Sequence, residues 1–224
     1  MYYYDIHTHY PPTSHPEDLA IISIDIRKLF TPCSLLYSAG VHPWYIDYND
    51  PATTTRLFEK VREYAQFQEV VAIGETGLDK LTARSTNDFQ HQKTLFISHV
   101  HLAEEVAKPL IIHCVRAWDD ILHIRQSTKP NTPWIIHGFR EKEPLARQLL
   151  DAGLYLSFGL HYDKASLNVA WSKHRLLAET DDSQANIRDI YRQIANDLHI
   201  SLPLFKKDTT AMRILSASAQ KNTL

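Results

Sequence analysis

Cysteine is nearly missing from this chain: Cys33 and Cys114 are the only two among 224 residues. Two such distant thiols build neither a disulfide framework nor a Cys-x-x-Cys zinc site, and their scarcity fits a reducing cytoplasm. Long hydrophobic runs are absent too, and none approaches the ~20 residues that span a bilayer. The first strand begins almost at once, which predicts no signal peptide and hence a cytoplasmic protein without membrane contact. Neither sign of charge dominates: 24 Lys and Arg stand against 26 Asp and Glu, a formal charge of -2. That argues against a tight, sequence-independent grip on long nucleic acid, which needs clustered basic residues. Glycine is sparse at six residues, and no Gly-x-x-x-x-Gly-Lys loop or Gly-x-Ser-x-Gly elbow occurs. Nucleotide-triphosphatase and serine-hydrolase chemistries therefore lack support. With no repeat, low-complexity tract or linker, residues 1–224 read as one domain with no evident obligate protein partner.

What is present is histidine, thirteen residues of it, together with short apolar runs. Eight runs read as strands: 2–6, 19–24, 35–39, 70–73, 110–112, 134–136, 154–158 and 176–178. They are rich in Ile, Val, Leu and Tyr, as strands buried on both faces are. Helical periodicity falls at 54–67, 88–107, 117–125, 142–152, 186–198 and 209–219. This alternation predicts an α/β fold, a compact (β/α)8 TIM-like barrel. The chain is short for that fold, so some outer helices should be short or missing, above all after the first two strands.

Five of the runs lead into potential metal ligands. They are His7 and His9, Glu75, His113, His137, and Asp181. His7 and His9 are two residues apart, so they share one face of an extended strand and can grip one ion. Imidazole and carboxylate donors suit zinc, manganese, iron or magnesium, and affinity alone does not select among them. In a (β/α)8 barrel the C-terminal strand ends carry the active site, which is where these residues are expected. His91, His99 and His101 in a predicted helix, with His123, His174 and His199, read as surface or boundary residues.

The segments Asp5-Ile6-His7-Thr8-His9, Gly40-Val41-His42-Pro43-Trp44, Gly74-Glu75-Thr76-Gly77-Leu78-Asp79, Ile111-Ile112-His113-Cys114, Ile135-Ile136-His137-Gly138-Phe139 and Glu179-Thr180-Asp181 together resemble the TatD-like metal-dependent hydrolases of the amidohydrolase superfamily. The resemblance implies one or two divalent cations and hydrolysis of phosphodiester bonds, members being described as deoxyribonucleases. It also implies that His7, His9 and Asp181 hold one metal, that His113 and His137 hold a second, and that Glu75 bridges. Departures from the pattern occur at Thr76, at Lys80, at Asp182-Ser183 and in the C-terminal segment, none of them a ligand position.

On that reading, a metal activates water, and Asp181 serves as general base as well as ligand, with Glu75 the second catalytic carboxylate. Arg116 and Arg140, each three residues after a ligand histidine, are placed to contact phosphate oxygens. His42 and Lys80 are further candidate substrate contacts; His161 and Tyr162 are weaker ones. Trp44 and Trp118 read as roof residues over the core, with stacking on a base as the alternative. The expected substrate is a phosphodiester, at DNA ends or in short oligonucleotides. The competing readings are a small-molecule amide, ester or lactone hydrolase and a metal-holding protein without turnover.

Overall fold

The computed structural model describes residues 3–12, 15, 17–207, 211 and 214. Its strands are β1 Tyr4–Thr8, β2 Leu19–Ser23, β3 Leu36–Ala39, β4 Val70–Asp79, β5 Leu110–Val115, β6 Trp134–Ile136, β7 Tyr155–Phe158 and β8 Leu176–Ala178. A 3-10 turn at Pro43–Tyr45 and helix α1, Pro51–Tyr64, lie between β3 and β4. Helices α2 Thr86–Glu105, α3 Trp118–Thr128, α4 Glu143–Asp151 and α5 Lys164–Ser172 separate the following strands in turn, and α6 Ile187–Asp197 and α7 Leu202–Lys206 follow β8. Strand order runs from β1 to β8 without a jump. The pairings β1–β2, β3–β4, β4–β5, β6–β7 and β7–β8 are all parallel. This is the (β/α)8 class, and among the described residues no helix follows β1 or β2, as expected. No described helix is long and apolar enough to cross a membrane.

The chain divides into two compact units, Met1–Ile22 with Ile135–Leu224, and Ser23–Trp134. In the first, Ile6, Leu156, Phe158, Leu177, Ile190 and Ile194 are fully or almost fully buried. In the second, the same holds for Val61, Ile73, Phe96, Val100 and Ile111. Local signals explain the helices. Asp50 caps α1 by accepting from the Ala52 amide, Pro51 follows in the first turn, and Leu57, Val61 and Tyr64 form the buried stripe. Ser85 caps α2 through the Asp88 amide.

Three differences from the sequence reading matter. Helix α5 was not anticipated, because its buried stripe of Ser166, Leu167, Val169 and Ala170 is short and mixed; the cap from Asp163 to the Ser166 amide was its one local signal. The predicted helix at 209–219 lies mostly outside the described residues, with Ala211 and Ile214 helical. Strands β4 and β5 run further than their apolar stretches. Glu75 and His113 therefore sit inside strands and not at their ends, correcting the expected placement. The extension depends on Gly77, paired with His113 in the β4–β5 register. A Cβ at Gly77 would lie 1.9 Å from the His113 carbonyl oxygen, and its φ of +150° disfavours any other residue.

Candidate metal centre

In the first unit the ligand candidates come from three strand ends. His7 lies in β1 and His9 just beyond it, His137 directly follows β6, and Asp181 follows β8. Backbone pairing continues past β8: the Asp181 amide donates to the His7 carbonyl at 2.9 Å, and the His9 amide donates to the Asp181 carbonyl at 3.0 Å. Asp181 itself takes a left-handed φ of 55°, a conformation Asp tolerates better than most residues. Its Oδ1 lies 3.6 Å from Nε2 of His7 and 3.6 Å from Nε2 of His9. The imidazoles of His7 and His137 stand 4.4 Å apart, centre to centre.

Two buried carboxylates back this group. Glu179 accepts from the Gly138 amide at 2.5 Å and lies 3.8 Å from Nδ1 of His137. Burial pushes the Glu179 carboxyl up, but the hydrogen bond and charge of His137 and the charge of His7 outweigh it, and the net shift is downward. Asp5 accepts from the Thr180 amide at 2.9 Å and from the Thr180 hydroxyl at 2.6 Å. Burial nevertheless raises its pKa to about 7. Asp5 thereby ties β1 to the turn that carries Asp181.

In the second unit His42, Glu75 and His113 converge. Glu75 Oε1 is 3.1 Å from Nε2 of His42 and 3.0 Å from Nδ1 of His113. Nδ1 of His42 accepts from the Trp44 amide at 3.1 Å, and its Nε2 faces Glu75. His42, a candidate substrate contact with the orienting of a ligand as the alternative, lies against Glu75. Behind His113 lies buried Asp79, whose Oδ2 is 3.5 Å from Nε2 of His113 and accepts from the Trp44 indole at 2.8 Å. Asp79 is clamped in turn: its other oxygen accepts from the Leu81 amide, and Gln92 bonds both its backbone amide and its carbonyl. Fully buried His99 closes the same region, accepting from the Val41 amide at 3.0 Å beside the Leu95 carbonyl at 2.8 Å.

Both groups suit a divalent ion. His7, His137 and Asp181 in one unit, and His42, Glu75 and His113 in the other, each present one donor atom per residue within 4.8 Å of the others. Mixed imidazole and carboxylate donors are the ordinary ligands of zinc, manganese and non-haem iron.

Among the candidate substrate contacts, Arg116 and Arg140 are exposed and make no ion pair among the described residues. Arg140 and His161 line a cavity of about 290 Å³ that also holds Gly138, Glu179, Asp181 and Ser183. Lys80 is engaged, its Nζ 2.7 Å from Asp120. Tyr162 donates to Asp197 at 3.0 Å. Burial pushes the Cys114 thiol up to about 12. Trp44, read as a roof residue, is 65% exposed, which overturns that reading.

Sequence reasoning passed over Asp5, Asp79 and Glu179. A signal was available. Side chains two apart share a strand face, so Asp5 precedes His7, Asp79 follows Glu75 by two such steps, and Glu179 precedes Asp181. Asp5 and Asp79 share a strand with their ligand, whereas Glu179 lies beyond β8 and had only its nearness in sequence.

A family model of TatD-related DNases matches residues 14–210. The hydrolase YcfH of Escherichia coli K12, named an uncharacterized metal-dependent hydrolase, is 36% identical over 126 residues, 56% of this chain and 44% of YcfH. The metal-dependent hydrolase BU355 of Buchnera aphidicola (strain APS) is 32% identical, over 70% of this chain and 62% of that protein. A Klebsiella pneumoniae protein named 3'-5' ssDNA/RNA exonuclease TatD is 32% identical, over 68% of this chain and 59% of its own length. The chain thus spans about half the length of the curated relatives it matches. Among solved structures, the TatD homologue YJJV of E. coli K12 superposes with a TM-score of 0.75 at 16% identity, covering 96% of this chain and 98% of that one. A TatD-family hydrolase of Entamoeba histolytica gives 0.74 at 19%, with the same coverage. These two likenesses establish the fold.

Proposed function

The chain belongs to the TatD-related DNase family, and from that premise we propose that it is a divalent-metal-dependent hydrolase of phosphodiester bonds, acting on DNA ends or short oligonucleotides. The observation that carries the reading is the Asp181 carboxylate, 3.6 Å from both His7 and His9 and opening on a cavity that Arg140 lines. A base, metal donors and a phosphate-matching guanidinium thus meet within one unit. The exonuclease name of the Klebsiella relative supports the same substrate class.

His7, His9, His137, Asp181, Glu75 and His113 are the residues that would hold metal. A bound divalent ion lowers the pKa of water toward about 7 and offsets charge on a phosphoryl oxygen. The protein's own part is positional. Asp181 accepts the proton of the attacking water and returns it to the leaving oxygen. Arg140 binds a non-bridging phosphate oxygen, which a planar guanidinium fits in two-pronged fashion. Glu179 and Asp5 hold the turns on which His137 and Asp181 ride.

The test is a panel of a phosphodiester, a carboxylic ester and an amide, each assayed with zinc, manganese and magnesium after chelation. Metal-restored phosphodiester cleavage is expected. Ester or amide cleavage with no action on phosphodiesters would replace this reading with a small-molecule hydrolase.

A further inference from the structure

Charge changes sign across one loop of the first unit. The cavity that opens on Asp181 is lined by the carboxylates of Glu179, Asp181 and Asp182 against the guanidinium of Arg140. Arg140 and His161 also line a second, more open cavity of about 470 Å³. Its charged walls are Arg140, Lys142 and Lys164 against the carboxylate of Asp163. The first cavity therefore favours cations and the second an anion. The loop between them is fixed on both sides of Arg140. The Gly138 amide donates to Glu179, and the Phe139 amide donates to the Ser157 carbonyl at 2.9 Å. The Glu141 carbonyl accepts from the Ser166 hydroxyl at 2.7 Å. The Arg140 guanidinium is exposed and makes no ion pair among the described residues. The two lysines are engaged, Lys142 with Asp163 at 2.8 Å and Lys164 with Asp197 at 2.6 Å, but at 82% and 69% side-chain exposure. Ion pairs that exposed contribute little, so either ammonium can turn to a ligand at small cost.

We propose that the second cavity is a subsite for a non-scissile phosphate, so that the first unit recognises two phosphates of one substrate chain. One lies at Asp181, and its neighbour lies among Arg140, Lys142 and Lys164. This deepens the phosphodiesterase reading above and rests on it. A phosphate offers several charged oxygens, which can accept from a guanidinium and two ammonium groups together. Arg140 is common to both cavities, which suits a side chain whose five N–H donors can serve two anions. Its anchored loop presents it already ordered, and an ordered donor loses little freedom when a ligand arrives. Discrimination then follows from charge. A substrate with one phosphate leaves the lysine side unused and binds more weakly than one with two.

The experiment compares wild-type protein with the double variant Lys142→Gln, Lys164→Gln, both supplied with divalent metal. Glutamine keeps the length of these exposed side chains and removes only their charge. Binding is measured by calorimetry with thymidine 3′,5′-bisphosphate and with each thymidine monophosphate. The bisphosphate reproduces one nucleoside with both of its chain phosphates, and none of the three carries a diester bond, so binding is read apart from turnover. Wild type should bind the bisphosphate about 10- to 100-fold more tightly than either monophosphate, the worth of one charge-assisted phosphate contact. In the double variant that ratio should fall close to one. The kinetic arm uses dithymidine phosphate with and without an added 5′- or 3′-phosphate. One of the phosphorylated forms should be cleaved with a kcat/KM higher by a similar factor, in wild type only. No preference for the bisphosphate overturns the proposal, as does a preference that the double variant keeps, or equal cleavage of all three dinucleotides. Wild type that prefers the bisphosphate through the lysines yet cleaves no dinucleotide supports the subsite and defeats the phosphodiesterase reading, so the two failures are told apart.

Discussion

The two ligand groups are built to different standards of enclosure. In the first unit His7 and His137 keep 0% and 8% of their side-chain surface, but His9 and Asp181 keep 38% and 21%, and a cavity opens on Asp181. In the second, His42, Glu75 and His113 keep 10%, 6% and 13%, behind clamps from Asp79, Gln92 and His99. The first group hangs on strand ends joined by a few backbone hydrogen bonds. In the second, Glu75 and His113 are set within strands brought close by glycine, and His42 caps the turn after β3. Openness suits a carboxylate that must meet water and move a proton; enclosure suits donors whose task is to stay still. The contrast teaches that turnover should be most vulnerable in the first group and folding most vulnerable in the second.

The largest expected effect tests the open side. Asp181→Asn should lower kcat by roughly 10³-fold, about 4 kcal/mol in the barrier, while the melting temperature barely moves. The amide keeps the size but cannot take a proton and coordinates metal poorly. Metal content measured on the same sample separates the two roles, and near wild-type turnover would remove Asp181 from both.

The enclosed side should answer in stability. Gly77→Ala drives a Cβ to 1.9 Å from the His113 carbonyl oxygen, a backbone atom that cannot step aside. A loss of about 3 kcal/mol is expected, a fall of roughly 6–12 °C in thermal unfolding for a chain this long. An unchanged melting temperature would show that β4 and β5 are looser than their contact implies.

His99 gives a pH signature in the same unit. Burial depresses its pKa from 6.5 to about 4. The folded form therefore resists protonation while the unfolded chain accepts it. Its contribution is present above pH 6.5 and is lost as pH falls toward 4, by about 3 kcal/mol at most. Asp5, raised to about 7 by burial, acts in the opposite direction over much of that window. The clean measurement is thus the difference between wild type and His99→Gln in urea unfolding of metal-free protein. Wild type should lose more stability between pH 6.5 and 4, and parallel curves would show that His99 titrates normally.

The smallest effects compare the arginines. Arg140→Ala, beside Asp181, should lower kcat/KM for a phosphodiester about tenfold, the worth of one charge-assisted contact. Arg116→Ala should cost only a few-fold. Salt dependence should be shallow, since few phosphates are neutralised. The reverse order of the two variants would move the phosphate grip to the second unit.

Much of this was legible in the residues. Short buried-type strands alternating with amphipathic helices suffice for the fold class, because period-two and period-3.6 burial is a local property of sequence. His7, His9, Glu75, His113, His137 and Asp181 stood out because each closes or continues an apolar run. Hydrophobicity could not reveal that β4 and β5 run on through Glu75 and His113, since that extension rests on a backbone contact between Gly77 and a residue 36 positions later. Nor could it reveal that Asp79 serves Trp44 and His113 together, that Asp5 serves Thr180, or that Trp44 faces solvent. Sequence determined which groups could bind and react, because side-chain chemistry and strand periodicity are carried by each residue and its near neighbours. Tertiary structure alone decided which carboxylates back which imidazoles and which aromatic ring is left exposed, because those are distances between residues far apart in the chain.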